Sequence, residues 1–212
     1  VSNYADIIAM RHPREGAPFV ASQAATIPVI NAGDGGHNHP TQTLADLLTI
    51  YEKKGTLKGL KLAFVGDGNN MANSLIVGGI KMGMAVSIAC PENYKPDAEI
   101  MKWAAENGDF VCTTDILAAA KDADVLYTDV WASMGQEEEF QERAKIFKES
   151  QINSELMKVA NEGAMVLHCL PAHRGEEIAA DVFEAHADEI FEEAENRLHA
   201  QKAIMVKLMA KA

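Results

Sequence analysis

The side chains best suited to chemistry in this sequence follow one apolar run. Residues 164–167 lead into His168, Cys169, Leu170 and Pro171, with His173, Arg174 and Glu176 close behind. Pro171 has no amide hydrogen and ends any strand ladder, so the stretch reads as a buried strand opening into a site. In parallel α/β sheets ligands bind beyond the carboxyl ends of strands. His168, Cys169 and the carbonyls after them are therefore expected to face a cleft. Cys169 is also a candidate nucleophile with a histidine base, or simply a buried apolar side chain; no Asn or Asp is obviously placed to orient such a base.

Asp129 and Ser133 stand four residues apart where another strand should end. Together they could clasp an ammonium and a carboxylate, the pattern of an α-amino acid, although both are common cap residues. Gly66-Asp67-Gly68-Asn69-Asn70 follows a strand and opens a helix, as a dinucleotide fingerprint would, and Glu92 could imitate its ribose-binding acid. Met71 stands where the third glycine belongs and would spoil close helix packing, which argues against a nicotinamide cofactor. Asn69 and Asn70 sit instead at a helix N-terminus, where amides and free backbone donors can hold a carboxylate; the alternative is a turn and a cap. His37, His39, His168 and Cys169 lack a metal-ligand spacing, so neither a metal nor a cofactor is expected.

These residues need a scaffold to position them. A hydrophobic content of 48% over 212 residues allows a sizeable core. From residue 60 strand-like and helix-like segments alternate: 61–65, 72–82, 85–89, 98–107, 110–113, 116–120, 125–128 and, after an acidic helical insertion, 164–168. Such alternation implies an α/β fold, a parallel sheet with helices on both faces. Ahead of it, 6–10 and 27–30 read as strands, 17–25 as a helix and 31–36 as a loop. A helix begins near His39 with Leu44, Leu47, Leu48 and Tyr51 at helical spacing, and ends at Lys53-Lys54-Gly55. A last amphipathic helix, about 184–209, needs a second surface to lie against.

The formal charge of -12 argues against a nucleic-acid partner, because phosphate binders concentrate positive charge. Two acidic blocks, 136–142 and 176–195, read as solvated helix faces. Cys90, Cys112 and Cys169 are odd in number and form no CxxC pair, so a reducing cytoplasm fits better than a disulfide framework. No apolar run reaches the roughly 18 residues of a membrane span, and no basic-then-apolar leader is present. A soluble protein without a membrane partner is expected.

The motifs together resemble the aspartate/ornithine carbamoyltransferase family. Residues 66–70, 129–137 (DVWASMGQE), 168–171 and Glu193-Ala194-Glu195-Asn196-Arg197 are similar to the ornithine enzymes. Met10-Arg11-His12-Pro13, Glu15-Gly16, residues 31–35 and His39-Pro40-Thr41-Gln42-Thr43 look more like the aspartate enzymes. The resemblance implies transfer of the carbamoyl group of carbamoyl phosphate to the δ-amine of ornithine, giving citrulline and phosphate, an activity of arginine biosynthesis. By the same resemblance Arg11, His39 and Gln42 would hold carbamoyl phosphate, with Arg197 joining them. Asn70, Asp129, Ser133 and Met134 would position the amino acid. Cys169 and the Leu170 carbonyl would lie near the attacking amine, with Asp129 or Cys169 taking its proton.

The family also carries a Ser-Thr-Arg-Thr-Arg phosphate loop that nothing in residues 1–212 resembles. The expected fold is thus two parallel-sheet α/β domains, the first incomplete and the second Rossmann-like. Residues 1–55 would be a partial carbamoyl-phosphate domain, with the C-terminal helix, 186–212, packing back on it; residues 56–185 would bind ornithine. The first part should expose apolar surface unless a partner or that helix covers it, and residues 1–212 alone should make almost no citrulline. A homo-oligomer, a trimer, is implied. The alternatives are a non-catalytic amino-acid-binding relative and a nicotinamide oxidoreductase.

Overall fold

The computed structural model describes residues 1–132 and 139–210, and two parallel sheets form its frame. In the first, β1 (Ile8–His12) and β2 (Val29–Asp34) pair in parallel, joined by α1 (Ala17–Ala24). α2 (Pro40–Lys54) then leads to the second sheet, whose strands are β3 (Lys61–Val65), β4 (Ala85–Ala89), β5 (Phe110–Thr113), β6 (Val125–Thr128) and β7 (Met165–His168). Their spatial order is β5-β4-β3-β6-β7, all parallel. α3 (Asn70–Lys81), α4 (Ala98–Asn107) and α5 (Ile116–Ala120) make the crossovers; α6 (Phe140–Ile146) and α7 (Ser154–Met157) lie between β6 and β7. The chain closes with α8 (Ala180–Ala185) and α9 (Ala187–Met209).

Alternation along the strands builds two cores, one on each face. Leu62 and Phe64 pack with Leu75, Ile76 and Ile50, whereas Ala63 and Val65 pack with Leu126, Val166 and Ile178. Both faces are covered, which is why β3 reads as a continuous apolar run. The strand order reverses between β3 and β6, and ligands of open α/β sheets bind at that reversal, beyond the carboxyl ends.

Several expected elements shift. The first strand runs on through Arg11 and His12, and the second takes in Asn31 to Asp34, which had read as loop. Turn-forming residues there are overridden by the parallel pairing with β1, which is irregular between Met10 and His12. The last helix is two, broken at His186. On α2 the stripe fails: Leu44 and Tyr51 are exposed, and Thr41, Gln42, Thr43, Asp46 and Thr49 are buried. The acidic block 176–195 is likewise not wholly solvated, since Glu177 and Glu193 are fully buried.

α9 explains the buried polar face of α2 and the burial of Glu193. It packs along α2, where Asn196 Nδ2 donates to Thr49 Oγ1 at 3.0 Å and to Glu52 Oε2 at 2.7 Å, and Lys53 pairs with Glu192. It also covers β7, an edge strand. Glu189 accepts from the Val166 amide at 3.0 Å and Glu193 from the His168 amide at 2.8 Å. Four helical residues rise about 6 Å and two strand residues about 6.6 Å, so the two carboxylates meet successive outward amides. Phe19, Val20, Leu198 and Val206 remain exposed. Among the described residues no helix is long and apolar enough to cross a membrane.

The glycine fingerprint has a packing explanation. A Cβ on Gly68 would lie 2.2 Å from the Pro96 backbone nitrogen and 2.5 Å from the Tyr94 carbonyl oxygen. The close approach that would admit a pyrophosphate is filled by the protein's own chain, and Glu92 is paired with Lys95 on the surface. Gly68→Ala should therefore destabilise the fold by about 3 kcal/mol, at the upper end of overpacking effects. Urea unfolding measures it, and a loss below about 1 kcal/mol would show that the 94–96 loop yields easily.

Candidate active site

A cleft of about 780 Å³ opens where the sheet's strand order reverses, walled on the other side by β1, the 33–36 turn and α2. Arg11, His39, Gln42 and Arg197 line the first wall. Arg11 leaves the end of β1 and crosses Gly33, whose missing side chain makes the room: a Cβ there would be 3.1 Å from Arg11 Cγ. His39 caps α2, tied by its amide to Ser74 Oγ at 2.7 Å, and Gln42 follows on the first turn. Arg197 arrives one turn beyond Glu193 on α9.

His39 is neutral. Burial, then the Arg11 and Arg197 charges, hold it down at about 4. Thr41 Oγ1 lies 3.4 Å from its Nδ1; with the hydroxyl donating, Nε2–H is left for the cleft. Because this value is below the usual 6.5, the unfolded state takes the proton first as pH falls. Stability is thus lost between those two values. Wild-type protein should lose about 2 kcal/mol more than His39→Asn between pH 7 and pH 5. The buried acids are common to both proteins, so the difference isolates His39. Parallel losses in denaturant titrations would show that His39 is not the titrating group.

The second wall comes from the sheet. Asn69 proves to be the cap of α3, its Oδ1 accepting from the amides of Met71 and Ala72, while Asn70 lines the cleft. Asp129 follows β6, and among the described residues its carboxylate takes three donors: Asn69 Nδ2 at 2.8 Å, the Val130 amide at 2.8 Å and Cys169 Sγ at 3.1 Å. A carboxylate has about four acceptor sites, so the described residues do not fill them. Burial first, and the Asp129 charge second, push the Cys169 thiol well above its ordinary range. It is a donor, neither a thiolate nucleophile nor a ready base. Arg143 ties this wall down from behind, bonding the Trp131 carbonyl and pairing with Asp67.

His168 does not face the cleft as expected. It is buried, with Nε2 2.9 Å from Glu177 Oε1 and Nδ1 accepting from the Leu170 amide at 2.9 Å, so it shapes the turn that presents Leu170. Leu170 and Pro171 do line the cleft. Ser133 and Met134 lie outside the described residues. Sequence reasoning did not single out His12 and His173 as lining residues. Among the described residues the group nearest to a metal set is His173, Glu176 and Glu177, whose ligand atoms lie within 4.8 Å of one another.

Cations thus line one wall of the cleft, and an anion with amides the other. Residues 1–52 match the carbamoyl-P binding domain of aspartate/ornithine carbamoyltransferase, and residues 58–208 match its Asp/Orn binding domain. The chain belongs to the aspartate/ornithine carbamoyltransferase family. The anabolic ornithine carbamoyltransferase of Pyrococcus furiosus is 50% identical over 214 residues, spanning 99% of this chain and 68% of that protein. The ornithine carbamoyltransferase of Symbiobacterium thermophilum is 55% identical over 191 residues, 88% of this chain and 61% of that one. Among solved structures, the Pyrococcus furiosus enzyme superposes with a TM-score of 0.91 at 49% identity, over 98% of this chain and 68% of that chain. The Thermus thermophilus enzyme gives 0.88 at 38%, over 99% and 68%. This carbamoyltransferase-family chain thus spans about two thirds of the length of several of its relatives.

Proposed function

We propose that the chain transfers the carbamoyl group of carbamoyl phosphate to the δ-amine of ornithine, giving citrulline and phosphate. The observation that carries this reading is the division of the cleft: Arg11, Arg197 and neutral His39 on one wall, Asp129, Asn70 and Cys169 on the other. Residues 1–55 with α9 would then serve the phosphate, and 56–185 the acceptor. Two guanidinium groups suit a dianionic phosphate and its departure. The imidazole N–H donates to the carbonyl oxygen as it gains charge. The amine attacks the carbamoyl carbon, the carbon–oxygen bond to phosphate breaks, and the proton shed by the amine passes to Asp129. Cys169 already donates to that carboxylate, so Asp129 is the acceptor of the pair.

Ornithine is favoured over aspartate because the described residues of the second wall include no lysine or arginine for a further carboxylate. Calorimetry with inorganic phosphate in place of carbamoyl phosphate should show ornithine binding at least about tenfold more tightly than aspartate, the worth of one charged contact. The reverse order would overturn the acceptor assignment, and ornithine binding without citrulline formation would favour an amino-acid-binding relative. A trimeric assembly and a cytoplasmic location belong to the same reading; sedimentation equilibrium tests the first.

A further inference from the structure

Behind Gln42, shut off from solvent, lie two carboxyl groups that touch no substrate. Asp46 stands one turn further along α2 and Glu193 lies opposite on α9; both are fully buried, and among the described residues no cation pairs with either. Gln42 Nε2 donates to Asp46 Oδ1 at 2.8 Å and lies 3.4 Å from Glu193 Oε1. Glu193 also accepts from the Tyr127 hydroxyl at 3.0 Å and the His168 amide at 2.8 Å. Asp46 Oδ2 receives no donor.

The distribution of donors decides which group is charged. Two carboxylates in contact at low dielectric cannot both ionise. Burial raises both acids, Asp46 the further; among the described residues Glu193 has three donors and Asp46 one, so Glu193 is the readier of the two to ionise and Asp46 keeps the proton. Burial first, then the Glu193 charge, raise Asp46 well above the carboxylate range, and both carboxyl groups converge on Gln42 Nε2. A proton on Oδ2 satisfies an atom that otherwise has no partner.

We propose that Asp46 and Glu193, sharing one proton, are positioning residues that fix which end of the Gln42 amide meets the substrate. This inference rests on the carbamoyl-phosphate reading above. With Nε2 committed to the two carboxyl groups, Oε1 is what Gln42 offers the cleft. A flipped amide would set Oε1 against ionised Glu193, a like-sign contact in a buried place. An acceptor in that position reads the NH2 of a carbamoyl group and gains nothing from a methyl. The buried pair thereby separates carbamoyl phosphate from acetyl phosphate, which has a methyl in its place.

Calorimetric titration of wild-type, Asp46→Asn and Glu193→Gln proteins with each phosphate compound tests this, because only the second variant removes the charge that opposes a flipped Gln42 and supplies an amide that can donate to it. Wild type should prefer carbamoyl phosphate by about tenfold, one hydrogen bond's worth. Glu193→Gln should bring the ratio close to one while leaving acetyl phosphate affinity unchanged, whereas Asp46→Asn, which keeps the Glu193 charge and an acceptor for Nε2, should keep most of the preference. A merely structural role would weaken both ligands together, and an unchanged ratio in Glu193→Gln would overturn the inference alone. Wild-type protein that binds neither compound would overturn the functional reading along with it. Should a variant fail to melt cooperatively, side-chain amide exchange in the wild type decides: slow exchange of the Gln42 Nε2 protons with and without carbamoyl phosphate supports the inference, and fast exchange refutes it.

Discussion

Arg11→Met should lower kcat/KM for carbamoyl phosphate by about a thousandfold, some 4 kcal/mol of lost charge stabilisation, with little change in melting temperature. Arg11 is exposed at the end of β1, rests across Gly33 and shares the cleft with Arg197. Removing it leaves one guanidinium on that wall among the described residues. Arg11→Lys should restore only part of the loss, because an ammonium cannot offer a planar fork to phosphate. A second readout follows from His39, which Arg11 helps to hold down at about 4. In Arg11→Met the imidazole should titrate at higher pH by NMR. A variant with near-normal kcat/KM would mean that the phosphate lies elsewhere.

Asp129→Asn should raise the KM for ornithine by about 10- to 150-fold, or 1.5 to 3 kcal/mol, the range of a charge-assisted hydrogen bond, and should lower kcat as well, because an amide cannot take the proton shed by the amine. The new amide must also turn its Nδ2 toward Asn69 Nδ2 or Cys169 Sγ, both donors to the native carboxylate. A modest fall in stability should therefore accompany the kinetic change. Because the Asp129 charge helps to raise the Cys169 thiol, the variant should also react faster with iodoacetamide at neutral pH. Loss of stability without a change in KM would identify Asp129 as a structural cap.

The second sheet was legible because four of its five strands are buried on both faces and its helices are capped by Asn69, Asp97 and Asp115, residue types that favour that position. Asp129 and Cys169 stand directly after apolar runs, which marked them as candidates, but a cap or a buried thiol fits the same pattern, and Arg11 took its role from the family resemblance. Asp46 and Glu193 were not legible. On a helix, a carboxylate among other polar residues reads as solvent-facing, and only the meeting of α2 with α9 reveals that both are inside. His168 failed in the opposite sense. It has the composition of a cleft residue, yet Glu177, nine positions on, folds back and draws it under the turn.

The contact between α2 and α9 carries a row of amide, hydroxyl and carboxyl groups: Gln42, Asp46, Thr49 and Glu52 against Glu193 and Asn196. Exposing apolar surface raises the heat capacity, whereas exposing polar surface lowers it. Parting these two helices should thus carry a far smaller heat-capacity change per unit area than parting the sheet from its own helices. The strength of the seam then varies with temperature along a flatter curve than that of the hydrocarbon cores, and cooling, which weakens apolar contacts, should loosen the cores before it loosens the hold of α9 on α2.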